Sequence, residues 1–165
     1  MDKRWFAVRT KSNREQITAG ALLGQGYETF LPTYTPRRSH ATDKIKPKPL
    51  FPGYLFCRFD LQHRLPILQN SGVVHIVSVG RVPAPLLDEE VESLKIVIES
   101  DAEVDRHPSF VAGQIVKLTQ GPLMGAQGTI VQNGNGLLIV SITLLQRSVS
   151  VSVTKEWLES AVATN

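Results

Sequence analysis

The chain has 165 residues, of which 42% are hydrophobic and 20% charged, with a mean hydropathy of −0.05, a composition typical of a soluble globular protein. Its longest apolar runs, such as residues 136–140, are far shorter than a membrane span, and the charged N-terminus lacks the apolar segment of a signal peptide. A single cysteine, Cys57, excludes an internal disulfide and a multi-cysteine zinc site. We therefore expect a reduced, cytoplasmic monomer with no membrane contact.

The net charge of +3 is divided unevenly along the chain. Residues 1–64 contain twelve lysines and arginines against five acids, which gives that stretch +7, whereas the remaining residues have −4. A local excess of positive charge is what neutralisation of nucleic-acid phosphates requires. The alternative is an ordinary solvated surface, and charge alone does not decide between the two.

The chain opens with a strand pattern followed by a helical one. Residues 5–10 are rich in β-formers, and residues 14–23 have a helical period that puts Ile17, Ala21 and Leu22 on one stripe. The preceding polar residue, Asn13, is a candidate helix cap. These patterns predict a strand and then a helix that buries this stripe.

A proline-rich segment interrupts the middle of the first hundred residues. Residues 35–49 are polar and basic and hold three prolines, which predicts a long hairpin loop. Pro52-Gly53 predicts a turn into a strong strand at residues 54–59. The other elements predicted here are a strand at 27–32, a short helix at 60–69, a strand at 73–79 and a helix at 88–99. Asp88 would cap the last helix, and Val91, Leu94 and Ile98 would face inward.

The order of these elements predicts an α+β fold with two domains. Residues 1–100 would form an α/β sandwich, with one sheet covered by helices. Residues 101–109 have no apolar period and are interpreted as a linker. Residues 110–165 contain five short strand patterns with tight turns, including the hairpin signal Asn-Gly-Asn-Gly at 133–136. Short strands of this kind can avoid exposed edges by closing into a small barrel.

Residues that could carry catalysis are scarce. The four histidines lack the spacing of a zinc site, so we expect no metal. The glycines of residues 121–128 lack a phosphate-binding lysine, and we interpret them as turn residues. The acids at residues 88–92 fit the N-terminus of a helix, and Cys57 fits a buried strand position. We therefore predict a protein that is not an enzyme and uses no cofactor.

Two segments resemble a known family. The run Pro49-Leu50-Phe51-Pro52-Gly53-Tyr54-Leu55-Phe56, after the opening strand and Glu15, resembles the N-terminal (NGN) domain of NusG proteins, and is closest to their specialised RfaH and UpxY types. Residues 113–130 are similar to a KOW motif, the signature of the small SH3-like barrel at the C-terminus of that family. The resemblance implies a transcription elongation factor that modulates pausing and termination, with antitermination favoured.

The resemblance also implies a docking face for the clamp helices of RNA polymerase. Strand alternation separates Tyr54, Phe56 and Arg58 from the intervening residues, and one set should face the helices while the other remains as an aromatic patch. The predicted polymerase-binding residues are Ala7, Arg9, Phe51, Tyr54, Phe56 and Arg58. The alternative is that both faces of the sheet are buried.

RfaH-type members have a polar His-Thr-Thr segment after this strand, which contacts the opposite jaw of the polymerase. Residues 64–67 here are largely apolar, which puts that contact in doubt.

Two further contacts follow from the resemblance. Lys11 and Arg14 resemble positions that meet the displaced non-template DNA strand. The basic residues of the hairpin loop would add contacts to the nucleic-acid backbone, unless the loop is simply solvated. These loop residues are Arg37, Arg38, Lys44, Lys46 and Lys48. The barrel would bind a small-subunit ribosomal protein or the termination factor Rho through Ile142, Leu144 and Leu145, although these three could equally form its core.

Two other hypotheses remain. The chain could be a ribosome-associated or RNA-binding KOW protein, but residues 110–165 hold only three basic residues against two acids, which is weak for a phosphate-binding surface. Specialised relatives also refold the barrel as a helical hairpin. The alternating β-branched residues at 148–153 favour strands instead.

Overall fold

The computed structural model describes residues 1–36, 46–100, 102–107, 113–133 and 135–164. The chain folds into two units, Met1–Asp88 and Glu89–Asn165. Both units combine strands with helices, so the mixed α and β content predicted from the sequence is confirmed. Among the described residues, no helix is long and apolar enough to cross a membrane.

The first unit is organised round a four-stranded antiparallel sheet. Its elements are β1 (Lys3–Thr10), α1 (Glu15–Gly24), β2 (Glu28–Phe30), β3 (Thr33–Tyr34), β4 (Lys48–Pro49), β5 (Tyr54–Asp60), a 3-10 helix (Leu61–His63), α2 (Leu65–Leu68), β6 (Val73–Ile76), β7 (Ser78–Val79) and β8 (Val82–Pro83). The sheet order is β2-β5-β1-β6, and β3-β4 and β7-β8 are separate two-stranded pairs. The long strand predicted at 73–79 is therefore divided between two sheets.

One face of this sheet packs on the helices. Alternate residues of β1 and β5 are buried on it with Leu22 of α1 and Ile67 of α2; these strand residues are Phe6, Val8, Leu55, Cys57 and Phe59. The rings of Phe6 and Phe59 lie 4.6 Å apart between centroids. Because neighbouring residues of a strand point to opposite faces, the odd-numbered residues of β1 and the even-numbered residues of β5 lie on the other face.

Helix α1 buries only Leu22 of the stripe predicted from its sequence, and leaves Ile17 and Ala21 exposed. Ile17 is 63% exposed, whereas Glu15, Thr18 and Leu22 are buried. The predicted cap is also wrong, because Asn13 has a φ of +59° and Arg14 occupies the N-cap position without a side-chain hydrogen bond. The helix is rotated so that its first residue, a carboxylate, points into the protein.

The buried carboxylate of Glu15 holds the bend before β5. Gly53 donates its backbone N–H to Glu15 Oε1 at 2.8 Å, and its carbonyl accepts from Thr10 N–H at 2.9 Å. Tyr54 N–H donates to the Phe51 carbonyl at 3.0 Å, and Gly53 has a φ of +83°. Proline followed by a glycine of positive φ is the arrangement of a type II turn, so the predicted Pro52-Gly53 turn is present.

The second unit is organised round a six-stranded antiparallel sheet. Its elements are α3 (Asp88–Glu99), β9 (Val104–His107), β10 (Ile115–Lys117), β11 (Gln127–Asn133), β12 (Asn135–Ile142), a 3-10 helix (Thr143–Leu145), β13 (Arg147–Ser152), α4 (Lys155–Glu159) and β14 (Val162–Ala163). The sheet order is β14-β10-β11-β12-β13-β9. β11 and β12 pair in antiparallel register from Thr129–Ile139 to Asn133–Asn135, as the hairpin signal predicts.

Three features of this unit bear on the sequence predictions. Val149, Val151 and Val153 are buried, which confirms the predicted alternation. Residues 104–107, interpreted as linker, instead form a strand whose backbone pairs with β13. In the described part of the chain, β14 and β9 end a sheet of six strands and are not paired with each other, so closure of the predicted five-stranded barrel is not observed there.

The glycine-rich connection from β10 to β11 is a compact turn. Gly121 and Gly125 have φ values of +80° and +92°, which other residues rarely adopt. Leu118 N–H donates to the Ala126 carbonyl at 3.0 Å, and Leu118 carbonyl accepts from Gly125 N–H at 2.8 Å. These glycines serve turns, as the sequence predicts.

We expect Glu15→Ala to lower the free energy of unfolding by about 1–3 kcal/mol, because the Gly53 N–H would lose its acceptor in a buried place. Gln16→Ala, at the next and exposed position, should change it by less than about 0.5 kcal/mol. Urea denaturation of the three chains measures the difference. Equal stability of both variants would mean that the bend does not depend on this carboxylate.

We expect Gly128→Ala to destabilise the second unit by about 1–3 kcal/mol, because a Cβ there would collide with the backbone carbonyl of Ile139 on the paired strand. Gly20→Ala, in helix α1, is the matched control, since a Cβ added at Gly20 would have no neighbouring atom within 4 Å. That change should stabilise the chain by about 0.5–1 kcal/mol. Thermal unfolding compares them, and a harmless Gly128→Ala would contradict the close approach of the two strands.

Candidate protein and nucleic-acid interface

The predicted polymerase-binding residues lie on the sheet face opposite α1 and α2. The register pairs Ala7 with Phe56 and Arg9 with Tyr54, so β1 and β5 bring these four side chains side by side. Phe51 joins them, with its ring centroid 5.8 Å from that of Phe56. The assignment to a common face, made from strand period, agrees with the observed register.

The exposure of this set differs from the prediction. Ala7 and Phe56 are 0% exposed and Phe51 is 1% exposed, so the expected open aromatic patch is wrong for these residues. The physical reason within the first unit is that Phe56 is flanked by two rings, Phe51 and Phe30, the latter with its centroid 6.0 Å away. The aromatic residues thus pack on one another.

Arg9 and Tyr54 form the partly accessible end of this face. The Arg9 guanidinium carbon lies 4.8 Å from the Tyr54 ring centroid, a cation–π distance. Arg9 Nη1 also donates to the Pro52 carbonyl at 3.4 Å. Both side chains are half-buried, and the bend at Pro52-Gly53 therefore holds an arginine and a tyrosine in one fixed arrangement.

Arg58 lies towards the other end of β5 and has different partners. Its Nη1 is 3.5 Å from Glu28 Oε2, and its Nε donates to the Lys3 carbonyl at 3.5 Å. The structure thus separates Arg58 from the bend.

His75 is an exposed residue that the sequence did not suggest. It is paired with Arg9 across β1 and β6. Only strand pairing reveals it, because no sequence pattern links the two.

Lys11 and Arg14, predicted to contact DNA, are exposed on the turn between β1 and α1. Arg14 N–H donates to the Lys11 carbonyl at 3.1 Å, and Lys11 N–H donates to the Gly72 carbonyl at 2.9 Å. Both cations lie shortly after Arg9 in the chain, at the end of the sheet where the Thr10 N–H donates to the Gly53 carbonyl. Arg9 and these two residues thus put three positive charges at one end of the sheet.

The hairpin cations are only partly described. Lys46 and Lys48 are exposed, and Lys48 lies on β4, where it is paired with Tyr34 of β3. Arg37, Arg38 and Lys44 lie outside the described residues. Their predicted contact with nucleic acid stays a prediction.

The predicted partner site of the second unit is divided between core and surface. Ile142 is 0% exposed, at the end of β12, and belongs to the core. Leu144 and Leu145 are half-buried on the 3-10 helix that follows. Ile142 would therefore support a contact rather than make one.

The same 3-10 helix receives a side chain that the sequence did not single out. Glu90 of α3 accepts a hydrogen bond from Thr143 N–H at 3.0 Å and another from the Thr143 hydroxyl. Burial raises the pKa of Glu90, and the Thr143 hydrogen bonds oppose that rise. The sequence explains the acids at 88–92 by the helix N-terminus alone, and two residues separated by 53 positions carry no local signal of their contact.

Cys57 is buried in the helix-side core of the first unit. Burial, with a smaller contribution from the charge of Glu28, raises the pKa of its thiol to about 12. The thiol is therefore protonated at neutral pH, as expected for a structural cysteine.

In the part of the chain that the structure describes, no three His, Cys, Asp or Glu residues are grouped so as to hold a metal ion.

Comparisons with known proteins agree with the resemblance seen in the motifs. NusG of Campylobacter jejuni, a transcription termination/antitermination protein, is 22% identical over 175 residues that cover 96% of this chain and 98% of the relative. The protein of the same name from Thermus thermophilus is 26% identical over 176 residues, covering 93% and 96%. A solved structure of Thermotoga maritima NusG covers 100% of this chain with 21% identity and a TM-score of 0.53, which supports the fold.

A family model decides the assignment. The model described as transcription termination factor nusG matches residues 3–95. That range contains β1 to β8 and most of α3, and it includes the bend at Pro52-Gly53. Since the match extends over more than half of the sequence, the chain belongs to the NusG family of transcription termination and antitermination factors.

Proposed function

We propose that this protein is a transcription elongation factor that binds RNA polymerase and modulates pausing and termination, with antitermination favoured. The observation that carries the proposal is the NusG-family match over the unit that holds the Arg9–Tyr54 pair. The factor acts by affinity and geometry and breaks no bond. It works in the cytoplasm beside the polymerase, as a monomer.

The polymerase contact is made by the end of the sheet face at Arg9 and Tyr54, against the clamp helices. Arginine and tyrosine are enriched among residues that dominate binding energy. The bend preorganises them, so little rotamer freedom is lost when a partner binds. Ala7, Phe51 and Phe56 are buried beside this pair and support it, and Arg58 contributes at the far end of β5.

The non-template DNA strand is the second ligand of the first unit. Lys11 and Arg14 adjoin the polymerase contact along the chain, so a strand displaced at the polymerase surface meets them without a second docking step. Their exposure and charge suit phosphate contacts, which carry no sequence information. Lys46 and Lys48 extend the positive charge towards the hairpin.

The second unit recruits a further protein, either a ribosomal protein of the small subunit or Rho. Leu144 and Leu145 supply its accessible apolar contact. The six strands are those of a KOW barrel whose closure the two end strands, β9 and β14, would complete. The alternative of an RNA-binding KOW protein is disfavoured by the few basic residues of this unit, namely Lys117, Arg147 and Lys155.

We expect Tyr54→Ala and Arg9→Ala each to weaken binding to purified RNA polymerase by about 1–3 kcal/mol, or roughly 5- to 150-fold in Kd. Arg4→Ala, on the same strand but the other face, is the matched control and should leave binding unchanged. Phe56→Ala is not a suitable test, because truncating a buried phenylalanine costs about 3–5 kcal/mol of stability. Unchanged affinity of both test variants would refute the docking face.

We expect Lys11→Ala with Arg14→Ala to weaken retention on polymerase complexes that contain an open DNA bubble, and to reduce the salt dependence of binding. Loss of two phosphate contacts to a single strand should lower the slope of log K against log salt by about 1.4. Polymerase without DNA is the control. An identical slope for wild-type and variant chains would show that these residues do not meet phosphate.

A further inference from the structure

A cleft in the first unit lies at the end of β5 that is remote from the Pro52-Gly53 bend. Its volume is about 140 Å³. The lining is mainly apolar and includes the ring of Phe59, which is 1% exposed, and the half-buried ring of Tyr27. An apolar cavity of about 150 Å³ is large enough to bind benzene, so this cleft has room for a single aromatic ring.

The two rings of the cleft are held in place by the fold. Tyr27 N–H donates to the Leu22 carbonyl at 3.1 Å, in a turn after α1 that the positive φ of Gly26, +88°, permits. The ring of Phe59 packs on that of Phe6 in the helix-side core. The cleft is therefore preformed, and a ligand would not have to order these side chains.

Two cations lie beside these rings, Lys3 and Arg58. Lys3 is exposed and has no ion pair within the described parts of the chain. Arg58 contacts Glu28 and the Lys3 carbonyl, but both distances are 3.5 Å, and a guanidinium has five donors to offer. The side chains of Arg58 and Glu28 are 41% and 53% exposed, so solvent weakens their attraction.

The acidic residue of the lining, Asp60, is already engaged by its own turn. One carboxylate oxygen accepts the Gln62 N–H at 3.0 Å, and the other lies 3.7 Å from His63 Nδ1. With two cations against one acid, and with His63 neutral, the lining has an excess of one positive charge. The cleft thus combines room for a ring with a preference for an anion.

We propose that this cleft binds an aromatic carboxylate, with its ring against Tyr27 and Phe59 and its carboxylate at Lys3 and Arg58. Hydrogen bonds from these cations to a carboxylate are charge-assisted, and the ring adds apolar burial. The ligand is a free aromatic acid or the C-terminal aromatic residue of a peptide, since both present the same two groups. The site goes beyond the proposed function and shares only Arg58 with the polymerase surface.

The test uses the full chain, labelled with ¹⁵N, and phenylacetate as the probe. The amide resonances of Tyr27 and Phe59 should shift and saturate as phenylacetate is added. Acetate, which lacks the ring, and benzyl alcohol, which lacks the carboxylate, should each bind at least about tenfold more weakly. Equal shifts with acetate and phenylacetate, or shifts that do not saturate, would overturn the site.

Lys3→Gln removes a cation of the cleft and should weaken phenylacetate binding by about tenfold, the loss expected for a charge-assisted hydrogen bond. Arg4→Gln is the matched control, because it removes a positive charge from the neighbouring residue, on the other face of β1. This variant should bind as wild type. Equal affinities of the two variants would contradict recognition by Lys3.

Two peptides distinguish the sources of the ligand, acetyl-Gly-Gly-Phe with a free carboxylate and the same peptide as its amide. Binding of the free-acid peptide at least as tightly as phenylacetate supports a chain terminus as the ligand. Binding of phenylacetate alone supports a free aromatic acid. Equal binding of the acid and amide peptides would show that the cleft does not read a carboxylate, and would refute the proposal.

Discussion

The hydrogen bond from Gly53 to the buried carboxylate of Glu15 fixes the part of the first unit on which its candidate surface depends. It joins the first turn of α1 to the bend before β5, and Thr10 holds the same glycine from β1. The carboxylate also sits at a helix N-terminus, where the helix dipole favours a negative charge. Three elements thus meet at one residue, and the Arg9–Tyr54 pair is built directly on their junction.

The predictable parts of the structure are those with a local cause. Pro52-Gly53 encodes its turn by backbone preference, and the alternation at Val149, Val151 and Val153 encodes a half-buried strand. The face of α1 was mispredicted because Glu15 is polar, and only a distant glycine makes its burial favourable. The composition of residues 104–107 predicts a linker because their pairing with β13 comes from backbone groups, which composition does not record.

The candidate sites likewise combine features that the local sequence predicts with features that depend on long-range contacts. Strand period was sufficient to put Tyr54 and Phe56 on one face, but ring-on-ring packing with Phe30 and Phe51 determined which of them is accessible. The contact between Glu90 and Thr143 had no local signature, since the acids at the start of α3 already had a sufficient explanation in the helix dipole. Long-range polar contacts are therefore where a single sequence is least informative.

The burial of Cys57 has a practical consequence. A thiol that is the only one in the chain, lies in the core and keeps its proton will react slowly with maleimide dyes while the protein stays folded. Surface cysteines can therefore be introduced one at a time without first replacing the native residue. Paired fluorophores, one in each unit, would then report the distance between the two units during transcription.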